Sequence, residues 1–167
     1  MKRRPIKLFI SYSKNDLDMI EEFDKHLFGL TKQGIVEPWH QGRVIAGADL
    51  EKEVTSHLDE AEIVIFAMSA SHLASEALGD ERFALILQRH EERSSLVIPL
   101  LLRPVDWQST ALTHIQPLPR SGVAITKRPN RDDAWVDVVA SIKQVVEERG
   151  DMLILAGDYR KAIRRIE

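Results

Sequence analysis

IVIFAMSASHLASEALGDERFALILQRH, from Ile63 to His90, is the stretch whose reading decides the fold. It begins with six apolar residues, Ile63 to Met68, closed by Ser69-Ala70-Ser71. A strand with one wet face alternates apolar and polar residues, so an unbroken apolar run between turn-formers predicts a strand buried on both faces. A polar segment containing Ser75 follows, and a helix opens on Glu81. In an open parallel sheet, ligands bind just past the carboxyl ends of the strands, which is where Ser69, Ser71 and Ser75 fall. Acidic residues gather at Asp80 and Glu81, where the positive end of a helix dipole favours an ionised carboxylate. Glu81 is therefore the first candidate for chemistry. The same residues also read as strand, loop, helix cap and a solvated first-turn glutamate.

Strand and helix patterns alternate outward from this segment. Ile6 to Tyr12, IKLFISY, predicts a strand that stops at the turn-like Ser13-Lys14-Asn15-Asp16. Leu17, Ile20, Phe23, Leu27 and Leu30 recur every three or four residues, so 16–33 reads as an amphipathic helix capped by Ser13 or Asn15 and ended by Gly34. Ile35 to Trp39 is a short second strand, with Pro38 placing it toward an edge or marking its end. The loop HQGRVIAGA, from His40 to Ala48, is too long for a tight turn, and such loops often carry function.

A helix over 49–61 precedes the central strand. Beyond it come a fourth strand within 95–103, a long polar connection, a weak fifth strand at Val123-Ala124-Ile125, and a closing helix over 131–149. Trp135, Val138, Ile142 and Val145 face inward on that last helix. This alternation predicts an α/β domain with right-handed crossovers. The layout is flavodoxin-like: a five-stranded parallel sheet, order 2-1-3-4-5, with helices on both faces. Residues 1–149 form this domain, and 150–167 are an extra helix or the start of a linker.

Composition excludes several functions. The chain has 167 residues, enough for one domain with a sizeable core. A net charge of -3 gives no electrostatic footprint for nucleic acid. There are no cysteines, which removes disulfides, thiolate metal sites and a cysteine nucleophile, and is compatible with a reducing compartment. Leu96 to Leu102 is far too short to span a bilayer, and no secretory signal precedes Ile6. The expectation is a cytoplasmic protein with no membrane or direct nucleic-acid partner.

Familiar activities on this layout also fail on their required residues. A phosphoacceptor receiver needs an aspartate where this chain has Met68-Ser69. A flavin phosphate loop needs a threonine- and glycine-rich turn where it has Tyr12-Ser13-Lys14-Asn15. Neither a P-loop nor a GxGxxG fingerprint is present. The six histidines show no metal-ligand spacing and read as surface or capping residues. Ser69 and Ser71 lie on no GxSxG elbow. What remains is a cleft bordered by Ser11, Tyr12, Trp39, the following loop with Arg43, Ser69 to Ser75, and Glu81. Tyr12 and Trp39 also read as core aromatics, and Arg43 as merely solvated.

Taken together, KLFISYSKND, PWHQGRVIAGADL, AEIVIFAMSASHLAS, ERFALILQRH, VIPLLLRPVDW, LPRSG and NRDDAWVDV resemble a TIR domain of the bacterial type, over roughly residues 5 to 148. The resemblance implies self-association with other TIR domains through the loop around Arg43 to Gly47. In many bacterial members it also implies cleavage of NAD as substrate, with no cofactor or metal, in a defence system triggered by a fused or associated sensor domain. The family's catalytic glutamate lies six residues after a serine that follows the third strand, which assigns that role to Glu81 after Ser75. By the same resemblance, Ser11 and Tyr12 match the cleft floor and Trp39 the wall. Gln41 replaces a frequent aspartate, and Ala77 and Leu78 replace a frequent aromatic residue and cysteine. The alternative to an enzyme is a TIR interaction module without catalysis.

Overall fold

The computed structural model describes residues 3–75 and 81–166. Its elements follow the chain as β1 (Ile6–Ser11), α1 (Leu17–Lys32), β2 (Val36–His40), α2 (Leu50–Glu60), β3 (Ile63–Met68), α3 (Ala70–Leu73), α4 (Glu81–Glu91), β4 (Leu96–Leu101) and α5 (Arg131–Ile166). The strands are parallel, in the order β2-β1-β3-β4.

All six residues of β3 are buried. Their side chains divide by the period of two that a strand imposes. Ile63, Ile65 and Ala67 join Ile6, Leu8 and Ile10 in the core under α1 and α5. Val64, Phe66 and Met68 join Phe9 in the core under α2 and α4. Each helix buries one stripe: Ile20, Phe23, Leu27 and Leu30 on α1, and Trp135, Val138, Ile142 and Val146 on α5. Trp135 stacks on Phe23 with ring centroids 5.1 Å apart, and its indole N–H donates to Glu22 at 3.1 Å.

Among the described residues the sheet has four strands, which corrects the expected five. Val123-Ala124-Ile125 makes no strand: Val123 is exposed, and Ile125 to Lys127 turn as a 3-10 helix. Leu118 instead lies beside β4, accepting from Leu101 N–H at 2.7 Å and donating to Pro99 O at 2.8 Å. That is an isolated bridge to Leu100. Pro117 and Pro119 on either side of Leu118 have no N–H to donate, so the ladder does not propagate.

The closing helix, expected to end at Arg149, continues to Ile166. Glycine in a helix interior costs roughly 1 kcal/mol relative to alanine, but both glycines here lie on the buried side. A Cβ at Gly150 would overlap the Arg3 side chain, and one at Gly157 would sit 3.0 Å from Glu62 Oε2. Small residues therefore let the helix lie close against the start of the sheet. There Glu62, itself buried, accepts from Arg4 at 2.8 and 3.1 Å and from Lys7 N–H at 2.8 Å. Among the described residues, no helix is long and apolar enough to cross a membrane.

Candidate functional site

In the order β2-β1-β3-β4, successive connections leave β1 in opposite directions, and a crevice opens past the carboxyl ends of β1 and β3. A cleft of about 460 Å³ occupies it, within the usual size of a small-molecule site. Ser11, Tyr12, Ser13, Lys14 and Asn15 form one side as the chain leaves β1. His72 and Ser75 come from the segment after β3, Gln41 from the loop after β2, and Arg82, Phe83 and Ile86 from α4. Phe9 and Phe66 give it an apolar base. A hollow of about 660 Å³ elsewhere, between α2 and the end of α5, is lined only by charged and hydroxyl side chains. Among the described residues, its lining includes no aliphatic or aromatic side chain.

The cleft wall brings together Ser11, Tyr12 and Ser75 among the residues singled out from the sequence. Trp39 is set back from it, stacked on His57 at 4.1 Å and tilted against Phe9 at 5.5 Å. Ser69 is buried as the cap of α3, accepting from His72 N–H at 3.1 Å and donating to Asp16 Oδ2 at 2.5 Å. Arg43 is exposed and donates to Asp24 at 3.2 Å. Glu81 is exposed at the first described residue of α4, next to Arg82 in the wall but outside the lining itself. Asp80, Ala77 and Leu78 lie outside the described residues.

Two histidines are buried: His40, which takes one of the expected roles by capping the turn Gln41–Arg43, and His72, which is neither at the surface nor a cap. Gly42 N–H donates to His40 Nδ1 at 3.1 Å, which leaves Nε2 to carry the proton and donate to Asp24 Oδ2 at 2.6 Å. A Cβ at Gly42 would sit 2.9 Å from the His40 ring, so glycine is what allows this closure. The Tyr12 ring meets His40 edge-on at 5.5 Å. Burial pushes the Tyr12 phenol above its ordinary value, so it stands protonated at the cleft wall.

His72 is reached by a thread of polar contacts that starts at Asp16. Asp16 holds Ser69, Ser69 caps the His72 backbone, and His72 Nε2 lies 3.0 Å from Ser11 Oγ. Ser75 donates to His72 O at 2.6 Å. The ring packs on Phe66 at 4.4 Å. Burial pushes its imidazole down to about 4, so it is neutral near pH 7. The sequence signal was the three-residue step from Ser69 to His72, which puts a cap and its recipient in one turn.

A proton binds His72 more readily in the unfolded chain than in the folded one. Its neutral form thus costs no stability above about pH 6.5, and stability falls as pH drops from there toward 4. His72→Phe should remove that part of the acid sensitivity. Urea unfolding of both proteins at pH 7.5, 6 and 5 measures it, and parallel slopes for the two would show that His72 does not contribute.

The doubly wound sheet with a crevice at its switch point defines an α/β domain of the ligand-binding or assembling kind. The TIR domain family matches residues 8–141, and the chain belongs to that family. It is 31% identical over 137 residues to an uncharacterized protein, y4lF, of Sinorhizobium fredii. That alignment covers 82% of this chain and 42% of the relative, so the chain spans about two fifths of the relative's length.

Proposed function

We propose that this TIR domain hydrolyses or cyclises NAD by breaking its nicotinamide-ribose bond, with Glu81 as the catalytic carboxylate and self-association as the switch. The observation that supports this reading is the cleft itself. Its wall offers the hydroxyls of Ser11, Tyr12, Ser13 and Ser75, an apolar base of Phe9, Phe66 and Phe83, and two cations, Lys14 and Arg82, of which Arg82 is paired with Glu51. Among the described lining residues there is no carboxylate. That combination suits a large, partly aromatic, anionic ligand, and a dinucleotide with its diphosphate is such a ligand. Ser11, Tyr12 and Ser75 would touch it directly. Trp39 would support Phe9 from behind, Ser69 would hold the serine loop, and Arg43 belongs to the self-association loop.

One carboxylate is sufficient for the chemistry. Glycosidases that expel an oxygen leaving group need an acid to protonate it, whereas nicotinamide on ribose is already cationic. The electron pair of the breaking bond leaves with nicotinamide, which becomes neutral, and positive charge passes to the sugar. Water adding at the anomeric carbon releases one proton and gives ADP-ribose. Attack by the adenine gives a cyclic product. An ionised Glu81 stabilises the sugar cation or orients its hydroxyls.

Along a helix each residue turns about 100° from the last, so Glu81 at the rim needs a shift of the first turn of α4 to face the ribose that Arg82 and Phe83 flank. Assembly with other TIR domains, driven by a fused or associated sensor in a bacterial defence role, would supply that shift. The exposure of Glu81 equally favours a second reading, a TIR interaction module without catalysis. Nicotinamide release from the purified protein, followed over a wide concentration range, separates the two. Release that rises faster than protein concentration supports the enzyme, and no release at any concentration ends it.

A further inference from the structure

The outer flank of β4 is covered over only part of its length. Near its end, Leu101 N–H and Pro99 O are both bonded to Leu118, whereas toward its start Val97 N–H donates to His90 Nδ1 at 3.0 Å. Two adjoining hollows open beside that starting half, of about 490 and 340 Å³, and His90, Leu96 and Arg149 stand in the walls of both. Leu96 is the first residue of its strand in a parallel sheet, so the hollows lie at the opposite end of the sheet from the cleft.

Arginines reach this place from three separate segments. Arg93 comes from the turn after α4, Arg120 from the connection after β4, and Arg149 from α5. Other arginines of the domain meet carboxylates, as Arg4, Arg89 and Arg103 do. These three form no ion pair among the described residues. The carboxylate in the described lining is Glu148, which accepts from Gln144 at 3.1 Å. Three guanidiniums against one carboxylate leave an excess of positive charge. His90 adds a neutral donor: accepting from Val97 at Nδ1 puts its proton on Nε2, and that N–H has no partner among the described residues. Burial, then the nearby His114 and Arg149, push the His90 imidazole below its ordinary value against the pull of Glu91, so this neutral form holds near pH 7.

Arg93 stands where a glycine would fit more easily. Ser94 N–H donates to Arg89 O at 3.0 Å and Arg93 N–H to His90 O at 3.1 Å, the turn that closes a helix, and Arg93 has φ 60° there. Glycine is usual at that position because a Cβ is strained in the left-handed region. Strain of this kind persists where surrounding structure and function hold it. The remaining wall is apolar, made by Ile115, Leu118 and Val145. A hollow of this size takes a small molecule. Guanidinium forks match phosphate oxygens in pairs, and three forks exceed what the two oxygens of a carboxylate can occupy. We propose that this is a second ligand site, for a small organic phosphate. Its phosphate sits among Arg93, Arg120, Arg149 and His90 Nε2–H, and its carbon body lies over Ile115, Leu118 and Val145. The site does not rest on the enzymatic reading, and its test reads binding alone.

Phenyl phosphate is a suitable probe, with inorganic phosphate and phenol as its separate halves. Titrated into the purified protein and followed by histidine ring NMR signals, it should saturate while moving His90 and His114, and bind at least about tenfold tighter than either half. Arg149→Gln should weaken it at least about tenfold. Lys143→Gln, exposed on the same helix and outside both hollows, should leave it unchanged. Arg93→Gly should raise the melting temperature and weaken the probe several-fold, a combination that separates a binding role from a structural one. Affinity retained in Arg149→Gln or Arg93→Gly, inorganic phosphate bound as tightly as phenyl phosphate, or the absence of saturation would each overturn the proposal. So would movement of the His72 signal in place of His90, which would put the probe in the cleft.

Discussion

Glu81→Gln should lower nicotinamide release by two to three orders of magnitude without changing the melting temperature. The glutamine keeps the size and the hydrogen-bonding oxygen and removes only the charge. Losing a preorganised electrostatic group aimed at charge that develops in the transition state costs about 2.7–4 kcal/mol, which is that range of rate. Glu81 is exposed, and surface substitutions away from special features stay within about 0.5 kcal/mol. Stability and rate should thus separate cleanly. Chromatographic assay of nicotinamide alongside a thermal melt reads both, and undiminished turnover in the variant would remove the glutamate from the reaction.

The second large effect is on stability, at Asp16→Ala. Asp16 is 2% exposed and accepts from Ser69 Oγ at 2.5 Å and from Arg103 Nε at 2.9 Å. One carboxylate thereby ties together the segments that leave β1, β3 and β4. Removing one partner of a buried ion pair costs about 3–5 kcal/mol. The Arg103 side chain is 45% exposed and can regain water, so about 3 kcal/mol is expected. The midpoint of urea unfolding measures it, with the slope unchanged. A loss below about 1 kcal/mol would mean that the loops hold their places without Asp16.

The elements legible in the sequence were those whose periodicity reports burial directly. β3 and the inward stripes of α1 and α5 are the clearest cases. The fifth strand was misread because three apolar residues at Val123-Ala124-Ile125 resemble a strand locally, while the bridging is done by Leu118 between two prolines. Helix α5 was cut short at Gly150 because a glycine signals an end unless something packs against its missing Cβ, and Arg3 is remote in sequence.

The cleft was legible in outline, since its location follows from sheet order and Ser11, Tyr12 and Ser75 stand in its wall. The burial of His72 was not, because the step from Ser69 signals only the cap, while the hydroxyl its ring meets, Ser11, is 61 positions away. Arg82 and Phe83 were overshadowed by the glutamate before them. Pairwise contacts across the sheet leave no local pattern.

Pro38 and Pro99 lie on β2 and β4, the two outermost strands. A proline interrupts the row of amides that an incoming strand would zip onto, and natural sheets use it to keep neighbours from adding on. Both flanks of this sheet are capped against lengthening in that way. Strand addition at either flank is thereby disfavoured, so a contact between copies would fall on helices and loops instead of extending the sheet.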